Sequence, residues 1–532
     1  GGKGGCTCSF RSVRLATEFA PCQMVDSGTL TGPWVLFGAL VLGTILGSYL
    51  FIKYYACVDS RAYWATAVTV MVLTLGVSCI ALIPVDIFNI SRQKDSSLHS
   101  GDIEILYLVA YMTMVGFSFV IAPFAYFYHE ESDDPESNLG QRLCSAMKWT
   151  LLTISIFVIC VILGLTLKLG HFDNAQDFIK KIFDVEHRGM QLAIFLISII
   201  SLLGLFAWVF YTGVGLASFP INMIRGRQSY AVEGTSLSER IDPLSMQIDR
   251  IKARYRVSDG VMSSQDKEEL KRLQAQRDEL TKRANTLEAA DSTCCARLSH
   301  CCTPFRVVFG VVFLVLSVFL ITSLFLASLD RAVNSPCGMS CGFIVNSPII
   351  FNPMDSFFVA VSPFFPLDFI FLGAIMLYFF VCSVSGLTRI GLRIFFVQLY
   401  RIRRKATSPQ GLLLLSVILM LIILVFSLQV VGFAPQYSTF GSQTYVVDEG
   451  QDTSRAPCNL DQVSNGTCSI SEISRLYNRV VLSSSFFSVC FFAADWCFIA
   501  VFLFAAIYSF CKKRDPPPIR INNEEEIMGL LS

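Results

Sequence analysis

Residues 62–85 read AYWATAVTVMVLTLGVSCIALIPV and contain no charged side chain. A helix needs about 20 apolar residues to cross a hydrocarbon core about 30 Å thick. Further uncharged runs of similar length lie between Lys148 and Lys168 and between Arg306 and Asp330. Runs this long are typical of membrane-spanning helices rather than of soluble cores, so they predict a polytopic membrane protein.

The composition of the chain agrees with this class. Of its 532 residues, 53% are hydrophobic and 16% are charged, whereas soluble chains carry about 25% charged residues. The net charge of +1 does not indicate a nucleic-acid partner. We predict an all-α integral membrane protein with nine transmembrane helices and a cytosolic antiparallel helical hairpin. The predicted spans are 32–56, 63–88, 105–128, 149–168, 190–217, 306–328, 364–387, 411–433 and 483–511.

The distribution of Lys and Arg predicts the orientation. The predicted loop 388–406 is rich in Arg and Lys, whereas 329–350 carries only Arg331. Positive charge collects in cytosolic loops, so the N-terminus is expected in the lumen and the C-terminus in the cytosol. The predicted regions are an N-terminal lumenal extension at 1–31, spans 1–5 at 32–218, the cytosolic hairpin at 219–304, spans 6–8 at 305–433, a lumenal loop at 434–482, span 9 at 483–511 and a cytosolic tail at 512–532.

Both N-x-S/T sequons fall on the predicted lumenal side. Asn465 lies in the long 434–482 loop, where a glycan can be attached, whereas Asn89 sits at the end of a span and close to the bilayer. Cys458 and Cys468 bracket the same loop and predict a disulfide in an oxidising lumen, with free thiols as the alternative. A second candidate disulfide joins Cys337 and Cys341.

Residues 219–304 are predicted to form a helical hairpin. Asp242-Pro243 is typical of a helix start, and a second helix is expected from about Ser264. Apolar residues then follow at helical spacing on both helices, as in a short coiled coil. The hairpin is either a docking arm for a cytosolic partner or a spacer that packs against the membrane domain.

A cluster of cysteines follows this hairpin, close to the membrane. Adjacent cysteines do not readily coordinate one metal ion in tetrahedral geometry, whereas juxtamembrane cysteines are common palmitoylation sites. Palmitoylation and inert thiols are therefore the two main interpretations. The residues concerned are Cys294, Cys295, Cys301 and Cys302.

The sequence contains no constellation for catalysis. It has no G-x-x-x-x-G-K-[ST] for ATP and no H-E-x-x-H for zinc, and none of its five histidines forms a metal-spaced pair. We therefore predict no enzyme activity, no metal site and no resident cofactor.

Three acidic residues fall within the predicted spans. Asp86 ends the second, Asp368 begins the seventh and Asp495 lies inside the ninth. An ionised carboxylate is costly in hydrocarbon and usually faces a polar interior. These acids either line a transport path for a proton, ion or substrate, or hydrogen-bond between helices near the interface.

The end of the tail resembles an acidic dileucine signal. Glu526 is followed by three residues and then by Leu530 and Leu531. Clathrin adaptors bind such tails as sorting signals. This pattern predicts an adaptor complex as a partner and traffic to endosomes and lysosomes, with the plasma membrane as a further location.

Several local sequences, taken in order, are similar to those of one membrane-protein family, the lipocalin-receptor-like or limb-region (LIMR) family. The similarity covers approximately Trp34 to Lys513. It rests on Pro84–Phe88, Phe219–Gly226, Phe365–Asp368, Leu399–Arg404 with Pro409-Gln410, and Ala434–Tyr437 with Gly441–Gln443.

The resemblance implies a lysosomal membrane protein that is needed for the export of cobalamin (vitamin B12). It also implies an ABC transporter of subfamily D as a partner that supplies ATP hydrolysis, with cobalamin as a transported ligand. Two alternatives stay open, which are an autonomous transporter that uses the intramembrane acids and an endocytic receptor for a lipocalin-like ligand. The sequence leaves the oligomeric state, including a homodimer, undecided.

Overall fold

The structure is a computed structural model of the chain, and its nine long apolar helices run through most of the described sequence. The described residues are 32–56, 63–91, 100–132, 138–169, 188–226, 230–257, 264–291, 303–335, 338, 349–364, 366–394, 397–400, 402, 405, 407–449, 452–464, 467–481 and 485–512.

Within those residues, nine helices are long and apolar enough to cross a membrane, which confirms the predicted class. In chain order the spans are α1 (Gly32–Tyr55), α2 (Tyr63–Ser91), α3–α4 (Ser100–Gly116 and Ala122–Ser132), α5 (Leu139–Leu169), α6–α7 (Arg188–Ala207 and Gly213–Arg225), α10 (Thr303–Asn334), α12 (Leu367–Ile390), α13 (Pro409–Phe433) and α17 (Ser485–Cys511). We call them spans 1 to 9.

Spans 3 and 5 each contain one π-helical turn, at Phe117–Ile121 and at Trp208–Thr212. The remaining elements connect the spans on either side of the bundle. They are α8 (Tyr230–Val257), α9 (Ser264–Asp291), α11 (Pro353–Val361), α14 (Pro435–Phe440), α15 (Leu460–Ser464), α16 (Glu472–Val481), β1 (Leu392–Ile394), β2 (Val397–Tyr400), β3 (Thr444–Glu449) and β4 (Asp452–Pro457).

Two helices extend well beyond the predicted spans. The helix of span 4 begins at Leu139, ten residues before the predicted start at 149. The helix of span 5 continues to Arg225, so the first residues of the predicted 219–304 insert continue this helix. Pro220 does not end this helix. Proline removes the hydrogen bond to the carbonyl four residues earlier, and the carbonyl of Leu216 instead accepts the hydroxyl of Ser317 from span 6, at 3.0 Å.

The hairpin prediction was right for the second helix and wrong for the start of the first. Helix α9 begins at Ser264 as expected, whereas α8 begins at Tyr230 and passes through Pro243. Pro243 and Glu239 are exposed, so water can bond the carbonyl that proline leaves unpaired. The two helices pack against each other, and a connection of only six residues requires them to run antiparallel. Their cytosolic location stays a prediction.

Two short antiparallel hairpins were not predicted from the sequence. Strand β1 pairs with β2, and β3 pairs with β4 in a regular register from Thr444 opposite Pro457 to Glu449 opposite Asp452. Each consists of only two strands and lies in a connection between spans, so the membrane-spanning part of the protein is helical throughout its described residues.

Spans 5 and 7 cross in backbone contact at the centre of the bundle. A Cβ atom on Gly215 would lie 1.8 Å from the carbonyl oxygen of Cys382, and one on Gly386 would lie 1.9 Å from that of Tyr211. Small residues allow this close approach, which drives helix association in lipid. Beside the crossing, the hydroxyls of Thr212 and Ser383 share a hydrogen bond of 2.8 Å.

The connections gather on two opposite faces of the bundle. On one face, the described residues of 349–361 and 434–481 form a folded layer that we call the cap. It lies over the ends of spans 2, 6 and 8 and the starts of spans 3, 7 and 9. On the other face, the described residues of the connection 391–408 contact the ends of spans 1 and 3 and the π-helical turn of span 5. This arrangement agrees with nine alternating crossings.

The glycine crossing yields a first prediction. The Gly386→Ala change should destabilise the protein by about 1–3 kcal/mol, because the new methyl group would force the backbones of spans 5 and 7 apart. Gly373→Ala on the same span is the matched control, since its Cβ would meet nothing within 4 Å. Thermal unfolding in detergent measures both, and equal melting temperatures for the two variants would contradict the crossing.

Candidate functional site

The predicted acid at the end of span 2 binds the start of a cap helix. The Asp86 carboxylate is buried and accepts the backbone N–H of Ile473 at 2.9 Å. A carboxylate at a helix N-terminus satisfies unpaired N–H groups and interacts favourably with the helix dipole. Helix α16 is amphipathic and buries Ile473, Leu476, Tyr477 and Val480 on one side, so Asp86 fixes this helix against the bundle.

A second acid, Asp355 in α11, holds the next cap helix in the same way. Its carboxylate accepts the backbone N–H groups of Gln436 at 3.1 Å and Tyr437 at 2.9 Å, at the start of α14. Burial raises the pKa of Asp355 to about 6, although these two hydrogen bonds act in the opposite direction. The predicted site residue Asp368 lies close by and accepts the phenol of Tyr437 at 3.4 Å.

The third predicted acid belongs to a buried ion pair. In span 9, Asp495 is 1% exposed and accepts the amide of Gln429 from span 8 at 2.8 Å. Its second oxygen lies 3.4 Å from the guanidinium of Arg331 in span 6. The phenol of Tyr477 from α16 also bonds this guanidinium. Asp495 therefore connects three spans to the cap.

The structure thus places the three predicted acids in three separate hydrogen-bonded clusters, each of which involves the cap. Sequence analysis did not single out Asp355 and Gln429 and used Arg331 only as a loop charge. The lone arginine between two long apolar segments was the one signal that could have suggested a buried ion pair.

A large apolar cleft lies between spans 1, 2 and 7. Its volume is about 1070 Å³, and no charged side chain lines it. Along span 1 the lining runs from Leu36 to Tyr55, and along span 7 from Pro366 to Thr388. None of Asp86, Asp368 and Asp495 lines the cleft.

The other predicted site residues divide between described and undescribed parts of the chain. Cys458 and Cys468 form a disulfide in the cap, with their Cα atoms 6.1 Å apart. Asn89 is described and lies near the end of span 2. The remaining ones lie outside the described residues and stay predictions: Asn465, Cys294, Cys295, Cys301, Cys302, Cys337, Cys341, Glu526, Leu530 and Leu531.

The buried ion pair yields a prediction. The Asp495→Leu change should destabilise the protein by about 3–5 kcal/mol, because it leaves the Arg331 guanidinium without its counter-ion. The double variant Asp495→Leu/Arg331→Met should recover most of that loss, because no buried charge remains. Thermal unfolding in detergent measures both. Arg277→Met, which breaks the exposed pair with Asp278, is the control and should cost less than about 1 kcal/mol. A double variant as unstable as the single one would contradict this role.

The Asp355 carboxyl yields a pH-dependent prediction. Because burial raises its pKa from 3.8 to about 6, the folded state binds the proton at a higher pH than the unfolded state. The contribution of Asp355 to stability should therefore increase as the pH falls from about 6 towards 4. The Asp355→Asn variant cannot gain this stability. As the pH falls from about 6 to 4, the free energy of unfolding of wild type should therefore rise by about 1–3 kcal/mol relative to that of the variant.

Melting temperatures at a series of pH values from 7 to 4 measure this shift. The control is Asp249→Asn in α8, which removes an exposed carboxyl. Parallel curves for wild type and Asp355→Asn would show that the carboxyl has no such role.

Comparison with known proteins places this architecture in a family. The model of LMBR1-like membrane proteins matches residues 34–300. The chain is 31% identical over 511 residues to a Gallus gallus protein named lysosomal cobalamin transport escort protein LMBD1, with 91% of this chain and 94% of the relative covered. The Homo sapiens protein of that name is 30% identical, with 91% and 94% covered.

A Dictyostelium discoideum protein named probable lysosomal cobalamin transporter is 30% identical, with 93% of this chain and 99% of the relative covered. No solved structure matches the chain. These relatives are named for transport or its escort rather than for an enzymatic reaction. The family model and the relatives confirm the resemblance found in the sequence, and the chain belongs to the LMBR1-like family of membrane proteins.

Proposed function

We propose that this protein is a lysosomal membrane escort protein in cobalamin export, which acts by binding and stabilising a separate transporter. The names of its relatives support the lysosome and cobalamin. The hydrogen bonds that the intramembrane acids make within the protein support an escort rather than an autonomous transporter.

One observation carries that choice. Asp86, Asp368 and Asp495 each accept hydrogen bonds from within the protein, and two of these acids bind the cap directly. A carboxylate that carries an ion or proton across a membrane has to exchange its partners, whereas these carboxylates hold the bundle and cap together. The proposal therefore gives them a structural role.

The apolar lining of the cleft also supports an escort rather than a transporter. Cobalamin is a large corrin with many amide groups and a phosphate, and these groups would lose their hydrogen bonds to water in an apolar cavity. No charged side chain lines the cleft. We therefore place the path of cobalamin in the partner rather than in this cleft.

The partner that we propose is an ABC transporter of subfamily D, as the sequence resemblance implies. Such a partner would supply ATP hydrolysis, because this chain has no P-loop sequence for binding ATP. Delivery to the lysosome would use a clathrin adaptor that recognises Glu526, Leu530 and Leu531. The α8–α9 hairpin stays a candidate docking arm on the cytosolic side.

The function can be tested in cells that lack the protein. We expect their lysosomes to retain cobalamin and re-expression of wild type to restore export. Asp495→Asn keeps an oxygen that can accept from Gln429 but cannot carry a proton. Because it also removes the counter-ion of Arg331, it should be less stable than wild type, and at equal amounts of folded protein it should restore export to within about two-fold of wild type.

The alternative is an autonomous transporter, and reconstitution separates the two. Liposomes that contain only this protein should show no cobalamin flux above empty liposomes. Flux in such liposomes that Asp495→Asn abolishes would establish the transporter and refute the escort. Normal export from lysosomes without the protein would refute both.

A further inference from the structure

Three arginines come together on the face opposite the cap, at the ends of neighbouring spans. Arg225 is the last residue of span 5, Arg306 lies in the first turn of span 6 and Arg389 lies in the last turn of span 7. We call these three residues the arginine cluster. Their face of the bundle is the predicted cytosolic one, where positive charge is expected.

One residue of span 9 holds two of these guanidinium groups. Arg225 donates to the backbone carbonyl of Ser509, and Arg389 donates to the hydroxyl of Ser509 at 3.3 Å. Arg389 also donates to the side-chain oxygen of Asn222 in span 5, at 3.3 Å. All of these acceptors are neutral, so both guanidinium groups keep their full charge. A guanidinium has five N–H donors, and these bonds leave most of them for a ligand.

The third guanidinium lies against the residue that follows Arg225. A Cβ atom on Gly226 would overlap the guanidinium of Arg306, so only glycine leaves room for this group. The φ angle of Gly226 is 66°, which also favours glycine. The turn that ends span 5 therefore brings Arg306 next to Arg225.

No carboxylate of the described residues forms an ion pair with the arginine cluster. On the side of the cap, by contrast, Arg331, Arg475 and Arg479 each pair with a carboxylate. Like charges repel, and they repel more strongly near a protein than in bulk water. Three guanidinium groups held together by neutral acceptors therefore favour an external anion. Phosphate suits them, because arginine binds phosphate through two parallel hydrogen bonds.

The surroundings of the cluster indicate that the anion belongs to a membrane lipid. Phe305 and Phe309 in span 6 and Tyr508 and Phe510 in span 9 are exposed. Phe309 follows Arg306 by three residues, so it lies on the same side of span 6, one turn further into the membrane. Exposed apolar side chains next to the guanidinium groups can contact acyl chains, whereas a soluble anion would gain nothing from them.

We propose that the arginine cluster binds the phosphorylated headgroup of a phosphoinositide in the adjacent leaflet. A phosphomonoester carries about 1.5 to 2 negative charges, and the phosphodiester of the same lipid adds one more. The headgroup thus balances the three positive charges of the cluster. Basic pockets between spans on the cytosolic side are typical sites for such lipids. The bound headgroup would link the ends of spans 5, 6 and 7, and this role does not depend on the escort function.

Other anions match the cluster less well. A lipid with only a phosphodiester supplies one phosphate charge, and a free phosphate has no chains to contact the exposed aromatic side chains. The acidic run Glu524–Glu526 would have to order residues 513–523, which join it to span 9. Ordering a chain costs conformational entropy, whereas a lipid is already confined to the membrane.

The test measures binding of a dioctanoyl phosphatidylinositol monophosphate to the full-length protein in detergent, by native mass spectrometry. Arg306→Gln should raise the dissociation constant at least about ten-fold, because it removes a charge-assisted hydrogen bond to phosphate. Arg306 is exposed, so the variant should fold, and an equal melting temperature checks this. Lys53→Gln is the matched control, since it removes one exposed charge from the end of span 1 on the same face. Equal affinity of Arg306→Gln and wild type would refute the site.

Further probes identify the ligand. Dioctanoyl phosphatidylcholine and inositol bisphosphate, which is the headgroup without its chains, should each bind wild type at least about ten-fold more weakly than the phosphoinositide. Equal binding of phosphatidylcholine would show that the charge of the headgroup does not matter. Equal binding of inositol bisphosphate would assign the cluster to a soluble phosphate. The triple variant Glu524→Gln/Glu525→Gln/Glu526→Gln should bind the phosphoinositide as wild type does, and much tighter binding would assign the cluster to the tail. Any of these three results would overturn the proposal.

Discussion

A carboxylate inside a membrane protein needs a partner within the protein, and this constraint determines how the cap sits on the bundle. Asp86 accepts the first N–H groups of α16, and Asp495 binds Gln429 and the Arg331 guanidinium. Each of these bonds crosses from one element to a distant one. The charges that hydrocarbon would otherwise exclude therefore become the links that hold spans and cap together.

This use of the acids limits the functions that the bundle can perform. Buried ion pairs stabilise only while both partners remain in place, so a path that repeatedly protonated Asp495 would also loosen the contact between spans 6, 8 and 9. The apolar cleft beside span 1 is lined by none of these acids.

The features that depend only on neighbouring residues in the chain could be predicted from the sequence. The nine spans follow from runs of apolar residues, and the start of α9 at Ser264 follows from local helix signals. Elsewhere a tertiary contact overrode a local signal. Pro220 favours the end of a helix, but Ser317 bonds the carbonyl that this proline leaves unpaired, and the helix continues. The role of Asp355 could not be predicted, since Tyr437 lies 82 residues away in the chain. Gly43 and Gly47 of span 1 are visible in the sequence, but only the placement of spans 1, 2 and 7 shows that they face a cleft.

The small-residue crossing of spans 5 and 7 and the glycines of span 1 differ in how closely they are packed. Helices in lipid associate through packing rather than through a hydrophobic driving force, so the extent of packing determines how permanent a contact is. At Gly215 and Gly386 both backbones touch, and spans 5 and 7 are also packed against spans 6, 8 and 9. In span 1, by contrast, only 11% of the residues in the most apolar stretch are buried, and a Cβ atom on Gly43 or Gly47 would meet nothing within 4 Å.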